Sequence, residues 1–369
     1  MNLIIVVILG LLQNFPNVIL GTSNIGYTTY THPGGMHPMQ QIELVKSKIS
    51  DRQQPYYNAY LQLLNYTNNA SNHTTHAVVD FSIPGYYVNP ALHINRSFCL
   101  QSDGFDAYAS ALAYQLSGGQ SKYADQSLRF LTAWAEVNKK YSDSDGPLVM
   151  TYAGTAMILA GELLSNYNGW NNTNKQQYFD WVQNVYLKAA TEIRTRENNW
   201  ADWGRFGSVL TAYLLDNAQE MTTNINLIKS DLFLKIADDG HMPQETVREA
   251  HGIWYTYFSL APMTAACWVV YEATGENLFT NYSKGNASIK HALDYLFYYN
   301  LHGTEWPWYP NVTVGTPAGW PGVLFEAMSS IYNDSRNFNE DSFDTLEFAA
   351  AMHELDYEQD HSPYPDYRN

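Results

Sequence analysis

The chain has 369 residues and a formal net charge of −16 at pH 7, from 20 Lys and Arg against 36 Asp and Glu, and 15% of its residues are aromatic. This acidic balance argues against nucleic acid or an anionic membrane as partner, and a cleft for a polyanion would have to supply its own local cations. Only Cys99 and Cys267 are present, so a disulfide framework is excluded; one bridge and two buried thiols (in FCL and AACWVV) both stay open.

The first twelve residues, MNLIIVVILGLL, form an apolar block broken by Gln13, Asn14 and Pro16, too short to span a bilayer. It reads as a secretory signal over residues 1–21, with Gly21 or Ser23 as the small residue at a cleavage point. Acceptor sequons at Asn65, Asn69, Asn72, Asn95, Asn171, Asn281, Asn286, Asn311 and Asn333 point the same way. A secreted, extracellular glycoprotein is expected, with no membrane contact after cleavage. Residues 22–369 then form a single domain, long enough to bury roughly three quarters of the surface its unfolded chain exposes.

From Tyr108 onward apolar positions recur at helical spacing. Ala109, Ala113 and Leu116 mark one helix and Leu128, Leu131, Trp134 and Ala135 the next, joined by SGGQ with Gly118 and Gly119 as a helix stop. Further helices are predicted over Thr155–Leu164, Gln176–Ala190, Trp200–Leu215, Glu245–Ala273, Ser288–Tyr299 and Pro321–Tyr332. Gly, Pro, Asn and Asp fill the connections, and strand alternation is hard to find. Paired helices of this length predict an all-α fold, an incomplete (α/α) toroid or barrel, here taken as a monomer. The tail from Glu354 is polar and proline-punctuated, and loose packing is expected of it.

Two segments could carry chemistry. The run NNWADWGRFGSV at 198–209 reads as a helix start with Asn198 or Asn199 near the N-cap. Capping is the plain use of those amides. The functional one is donation to a sugar carboxylate, with Trp200 or Trp203 offering a flat face to a pyranose ring. Arg205, with Arg194 and Arg196, is placed to bind flanking acidic sugars, although a solvated helix face explains such charges almost as well.

The run DDGHMPQETVREAHGIWYTYFSL, ending at Leu260, sets Arg248, His251 and Tyr255 three, four and seven residues apart. On one helix these share a face. A guanidinium that clamps carboxylates beside a phenol that moves protons suits an acidic sugar; packed core residues are the alternative. Glu245 is expected to hold the Arg248 guanidinium, His241 to contribute to substrate binding, and His32 and His37 in THPGGMHP to reach a cleft rim. No Cys/His cluster, calcium loop, Walker loop, GxGxxG or GxSxG is present, so no metal or cofactor is expected.

HPGG at 32–35, IELVKSKI, PYYNAYLQL, DAYASALAYQLSGGQSKYADQSLRFLTAWA, NNWADW and the run ending at Leu260 follow one another in an order that resembles polysaccharide lyases of the alginate lyase superfamily. The likeness extends from about His32 to Tyr332. By motif it implies that Asn199 and Arg248 neutralise the carboxylate of an acidic polysaccharide substrate while Tyr255 handles protons. Trp200 departs from the family pattern, standing where many relatives have histidine.

The chemistry accounts for these residue types. β-Elimination in a 4-linked uronate removes H5, which is acidic only once the C6 carboxylate is neutralised and can take up charge as an enediolate. A phenol, with an ordinary pKa of about 10, becomes a base when positive charge lies close; Arg248 is the obvious source, with His251 to assist or orient. In mannuronate and glucuronate H5 and the leaving O4 share a face, so one tyrosine serves both. Guluronate needs a second group opposite. With Trp200 in the histidine position, mannuronate blocks or glucuronan are predicted over guluronate, and His241 and His251 are the residues that would overturn this. Two rivals stand. An inverting glycoside hydrolase would need carboxylates about 6.5–9.5 Å apart, with Asp202 and Asp239 or Glu245 as candidates. The other is a binding protein that keeps the fold without the chemistry.

Overall fold

The computed structural model describes residues 29–280 and 282–310, together with Leu324, Met328, Ile331 and Tyr332. The expected signal, the sequons at Asn281, Asn311 and Asn333, most of the helix predicted over Pro321–Tyr332 and the tail from Glu354 lie outside the described residues.

Twelve helices are described: α1 (Met39–Ser50), α2 (Tyr56–Ala70), α3 (Pro90–Leu116), α4 (Ser121–Val137), α5 (Gly146–Leu163), α6 (Asn172–Trp181), α7 (Leu187–Ile193), α8 (Asn199–Leu214), α9 (Ala218–Lys235), α10 (Pro243–Thr246), α11 (Gly252–Thr274) and α12 (Ile289–Leu301). Two three-residue strands, β1 (Asp80–Ser82) and β2 (Lys140–Ser142), pair in parallel with Phe81 opposite Tyr141. They are too short to leave an alternating pattern in the sequence.

The helices form an inner and an outer layer. α3 packs on α5, α5 on α8, and α8 on α11, while α4, α6 with α7, α9 and α12 lie outside them. This is the all-α, incomplete (α/α) toroid that the paired pattern predicts. Burial follows the layering. Every residue of α5 is buried, as are all but one of α8, whereas α4 buries only the stripe of Tyr123, Ala124, Ser127, Phe130, Leu131, Trp134 and Ala135.

Local signals set the ends. Asn89 caps α3, accepting from the Leu92 N–H, with Pro90 in the first turn; Asn198, Asn217 and Ser288 cap α8, α9 and α12. Gly275, at φ 73°, ends α11.

The inner helices run parallel, with their amino ends at one mouth of the toroid. Around that mouth the Tyr86 N–H donates to Asp145 Oδ2 (2.9 Å), joining the lead-ins of α3 and α5. Asn199 meets Glu245, joining α8 to the approach of α11, and Arg248 meets Tyr87, which brings α11 back to α3.

At the carboxyl ends the segment 31–38 forms a strap. The Gly34 N–H (2.7 Å) and His32 Nδ1 (3.1 Å) both meet Glu162 Oε1 near the end of α5, and the Tyr213 hydroxyl of α8 donates to the Thr31 carbonyl. A side chain at Gly34 would stand 2.1 Å from that hydroxyl. His37 is fully buried with Nε2 on the Tyr108 hydroxyl (2.6 Å), and burial lowers its pKa to about 3. His32 and His37 therefore close the end opposite the mouth, and the expectation that they reach a cleft rim is corrected.

Other boundaries also differ. The stretch Glu245–Ala273 is not one helix: α10, a 3-10 turn at Glu249–His251 and α11 follow in succession, with Glu249 at φ 55°. A π-helical turn, Val182–Tyr186, lies between α6 and α7 within the predicted Gln176–Ala190. α5 begins nine residues before Thr155, because a helix buried on every side shows no polar period. No helix is predicted over α9, although Met221, Ile225, Ile228 and Leu232 are spaced as a buried face. Cys99 and Cys267 are both unpaired, and burial pushes the Cys267 thiol up to about 12. Among the described sequons, Asn65, Asn69, Asn72, Asn95, Asn171 and Asn286 are exposed. No helix among the described residues is long and apolar enough to cross a membrane.

α5 approaches Tyr178 through Gly161, where a β-carbon would lie 2.2 Å from the Tyr178 hydroxyl and 2.6 Å from its ring. Tyr178 is fully buried and donates to the Met157 carbonyl, so it has no room to yield. Gly161→Ala is expected to cost about 1–3 kcal/mol, read as a lower denaturation midpoint; an unchanged midpoint would show the packing to be looser than this.

Candidate active site

Three groups converge at the mouth. Arg248 Nη2 donates to the Tyr255 hydroxyl at 3.0 Å and to the Tyr87 hydroxyl at 2.7 Å, and the two hydroxyls are themselves 2.7 Å apart. The guanidinium carbon stands 4.2 Å from the centroid of the Tyr255 ring and 5.5 Å from that of Tyr87. Arg248 and Tyr255 are half-buried, while Tyr87 is 66% exposed.

Arg248 does not share a helix with Tyr255. It precedes the 3-10 turn, and Tyr255 lies in the first turn of α11. The side chains meet because the turn folds the approach back over the helix start. His251, in that turn, is partly buried, and burial together with the Arg248 charge lowers its pKa, which favours the neutral imidazole. Tyr87 was missed by the sequence reading. It sits in a loop before α3, remote in sequence from Arg248, and only the closure of the inner ring brings it there.

Asn199 is the first residue of α8 and is buried; Asn198 is the cap, its Oδ1 accepting from the Trp200 N–H at 3.3 Å. Glu245 grips Asn199 at two points, through Oε1 with the backbone N–H (2.7 Å) and through Oε2 with Nδ2 (2.8 Å). The expected ion pair of Glu245 with Arg248 is therefore replaced by a clamp on Asn199. Burial pushes the Glu245 carboxyl up to about 7, with the Asn199 hydrogen bonds pulling the other way. Behind it Lys235 Nζ reaches Asp202 Oδ2 (3.0 Å) and the Glu197 and Asn198 carbonyls (3.1 Å each).

The expected sugar contacts divide. Trp200 is half-buried in the first turn of α8, with the exposed Arg196 guanidinium 3.9 Å from its ring centroid, so this pair borders the mouth. Trp203 is 3% exposed and packs among Tyr152, Phe206 and Phe258; its assignment to substrate binding is corrected, because no face of the indole is open. Arg205 is 4% exposed and binds Asp231 through both Nη1 and Nη2, with Nε on the Arg194 carbonyl. It is a buried structural cation, and that assignment is corrected too. Arg194 is committed to Glu220. His241 belongs to a neighbouring aromatic group: Nδ1 meets Asp239, and the ring lies 4.6 Å from that of Trp308, whose indole N–H donates to Tyr295.

The carboxylates of the hydrolase reading do not face one another across an opening. Asp202 is buried on Lys235 and Ser259, Glu245 is buried on Asn199, and Asp239 is exposed beside His241. Among the described residues no group of His, Cys, Asp and Glu is arranged to hold a metal ion.

A family model described as alginate lyase matches residues 89–306, which include Asn199, Arg248 and Tyr255 and begin two residues after Tyr87. Among solved structures, an alginate lyase from Bacteroides ovatus superimposes with a TM-score of 0.66 at 20% identity, over 88% of this chain and 96% of its own. Alginate lyase A1-III from Sphingomonas species A1 gives 0.65 at 13% identity, over 80% of this chain and 88% of that one. A tyrosine-to-phenylalanine variant of A1-III complexed with a tetrasaccharide gives 0.64 at 14%, over 85% and 93%. No curated protein matches the chain in sequence.

The corrected role of Arg205 has a measurable outcome. Asp231→Ala strands a buried guanidinium and is expected to cost about 3 kcal/mol in chemical denaturation. Arg196→Ala, at an exposed position, should stay within about 0.5 kcal/mol. Equal effects would contradict the division drawn between these two arginines.

Proposed function

Because the chain belongs to the alginate lyase family and is a polysaccharide lyase, we propose that it is a secreted enzyme that cleaves a β-1,4-linked polyuronate, mannuronate-rich alginate or glucuronan, by syn β-elimination. The observation that carries this reading is the single Arg248 Nη2 that bridges the Tyr255 and Tyr87 hydroxyls. A cation in that position stabilises a phenolate at Tyr255 and, once substrate enters, the carboxylate beside H5.

In the proposed reaction Asn199 and Arg248 bind the C6 carboxylate and take up the charge that moves onto it. Tyr255 removes H5, the C4–O4 bond breaks as the C4–C5 double bond forms, and the same phenol returns its proton to the leaving O4. One residue on one face suffices, which is why mannuronate and glucuronate fit and guluronate does not. With Trp200 where many relatives have histidine, the reaction is assigned no base opposite Tyr255, and His241 and His251 are the residues that would overturn this. His251 stands in the adjoining turn, where burial and the Arg248 charge lower its pKa and so favour the neutral imidazole. Tyr87 hydrogen-bonds the same hydroxyl, holding Tyr255 toward Arg248. Arg196 and Trp200 offer a cation and a ring edge to a neighbouring sugar. That one solved A1-III variant is complexed with a tetrasaccharide supports a polymeric substrate. Export rests on the apolar amino-terminal block and on the exposed sequons.

Digestion of polymannuronate or glucuronan is expected to raise the far-ultraviolet absorbance of an unsaturated uronate, with polyguluronate cleaved more slowly. Tyr255→Phe should lower kcat about 10²–10⁴-fold. No new absorbance on any of the three polymers would remove the assignment, and saturated reducing ends would turn it toward hydrolysis.

A further inference from the structure

We infer that Glu245 is a positioning residue for the elimination, holding Asn199 so that its carboxamide meets the substrate carboxylate in one fixed orientation; this rests on the lyase reading above. Glu245 is 1% exposed and spends both carboxylate oxygens on one neighbour, Oε1 on the Asn199 backbone N–H (2.7 Å) and Oε2 on Nδ2 (2.8 Å). The carboxamide is planar, so committing one of its two N–H groups to Oε2 sets the direction of the other. The backbone bond fixes where the plane starts. Asn199 is itself 2% exposed, so the grip decides which way its carboxamide is turned within an enclosed frame, and a misdirected donor loses its value in the transition state.

The groups facing Glu245 come from three elements. Asp202 on α8 is the like charge, Lys235 on α9 the opposing one, and Arg248, in the turn that follows Glu245 itself, a second cation. Lys235 is tied to Asp202 and to the Glu197 and Asn198 carbonyls, so the frame behind Asn199 is rigid.

The clamp needs an ionised carboxylate. A carboxylate accepts from both N–H groups, whereas the protonated acid turns one oxygen into a donor that opposes an N–H. Burial pushes this carboxyl up to about 7, against the pull of the Asn199 hydrogen bonds and Lys235. Below that pH the protonated form releases Asn199; above it the grip is complete. Turnover therefore rises with pH through neutrality on an acid limb that belongs to Glu245.

A double-mutant cycle tests this with the full chain, on whichever of polymannuronate and glucuronan the wild type cleaves. Glu245→Gln is expected to lower kcat about 10- to 100-fold while KM stays within about twofold, and to flatten the acid limb. In an Asn199→Ala background the same substitution should have no further effect, because the residue it acts through is gone. Losses that multiply, or a limb that stays in place in Glu245→Gln, overturn the inference. Should Glu245→Gln fail to fold, Glu245→Asp enters the same cycle: a reduced kcat with the limb retained, silent in the Asn199→Ala background, supports the clamp, and equal losses in both backgrounds overturn it. A wild type that forms no unsaturated product sinks the lyase reading; an active wild type with a multiplicative cycle sinks only the role of Glu245.

Discussion

The parallel run of the four inner helices is the constraint on which the mouth depends. Each brings the unsatisfied N–H groups and positive dipole of its first turn to the same end of the toroid, where Asn89, Asp145, Asn198 and His251 stand at the helix starts. A chain with a net charge of −16 thereby keeps one region suited to anions. Arg248 and Arg196 add full charges there, and the burial of Glu245 is tolerable because it lies against the first N–H of α8. The carboxylate acts on the helix as an external cap, and the helix in turn holds the carboxylate.

The same layering explains which residues were legible. α4 shows a clear period because only one of its faces is covered, and the Asn198 cap is marked by its own side chain. Arg248, His251 and Tyr255 could be picked out by type and spacing, although the spacing suggested one continuous helix and the structure uses a 3-10 turn, whereas Asn199 was separated from Asn198 only by the family resemblance. Trp203 and Arg205 were misplaced for a physical reason. Every residue of the helical part of NNWADWGRFG except Trp200 is buried, so residue type alone does not separate a packed indole or guanidinium from one that borders the mouth. Trp200 lies in the first turn; Trp203 and Arg205 do not. Tyr87 was out of reach of any local pattern, since its place at the site comes from closing the ring between α3 and α11. The short parallel pair β1 and β2 escaped because three residues carry no period.

The two ends of the toroid are built on opposite terms. At the carboxyl ends the strap from Thr31 to Pro38 brings donors to Glu162, whose carboxyl burial pushes up to about 7, and fills the remaining space with His37 and Met36. Little there is left to move. At the amino ends the side chains that meet are longer, Arg248, Tyr87 and Tyr255, and Tyr87 is largely exposed.

The contrast between a chain of net charge −16 and a cation-bearing mouth bears on how the field around the molecule responds to salt. Outside the mouth the mutual repulsion extends roughly a Debye length, about 8 Å at physiological ionic strength and about 3 Å at 1 M. The half-buried Arg248 is screened far less than the surface carboxylates. Salt therefore quiets the long-range repulsion of the acidic exterior sooner than it weakens the field of the guanidinium at the mouth.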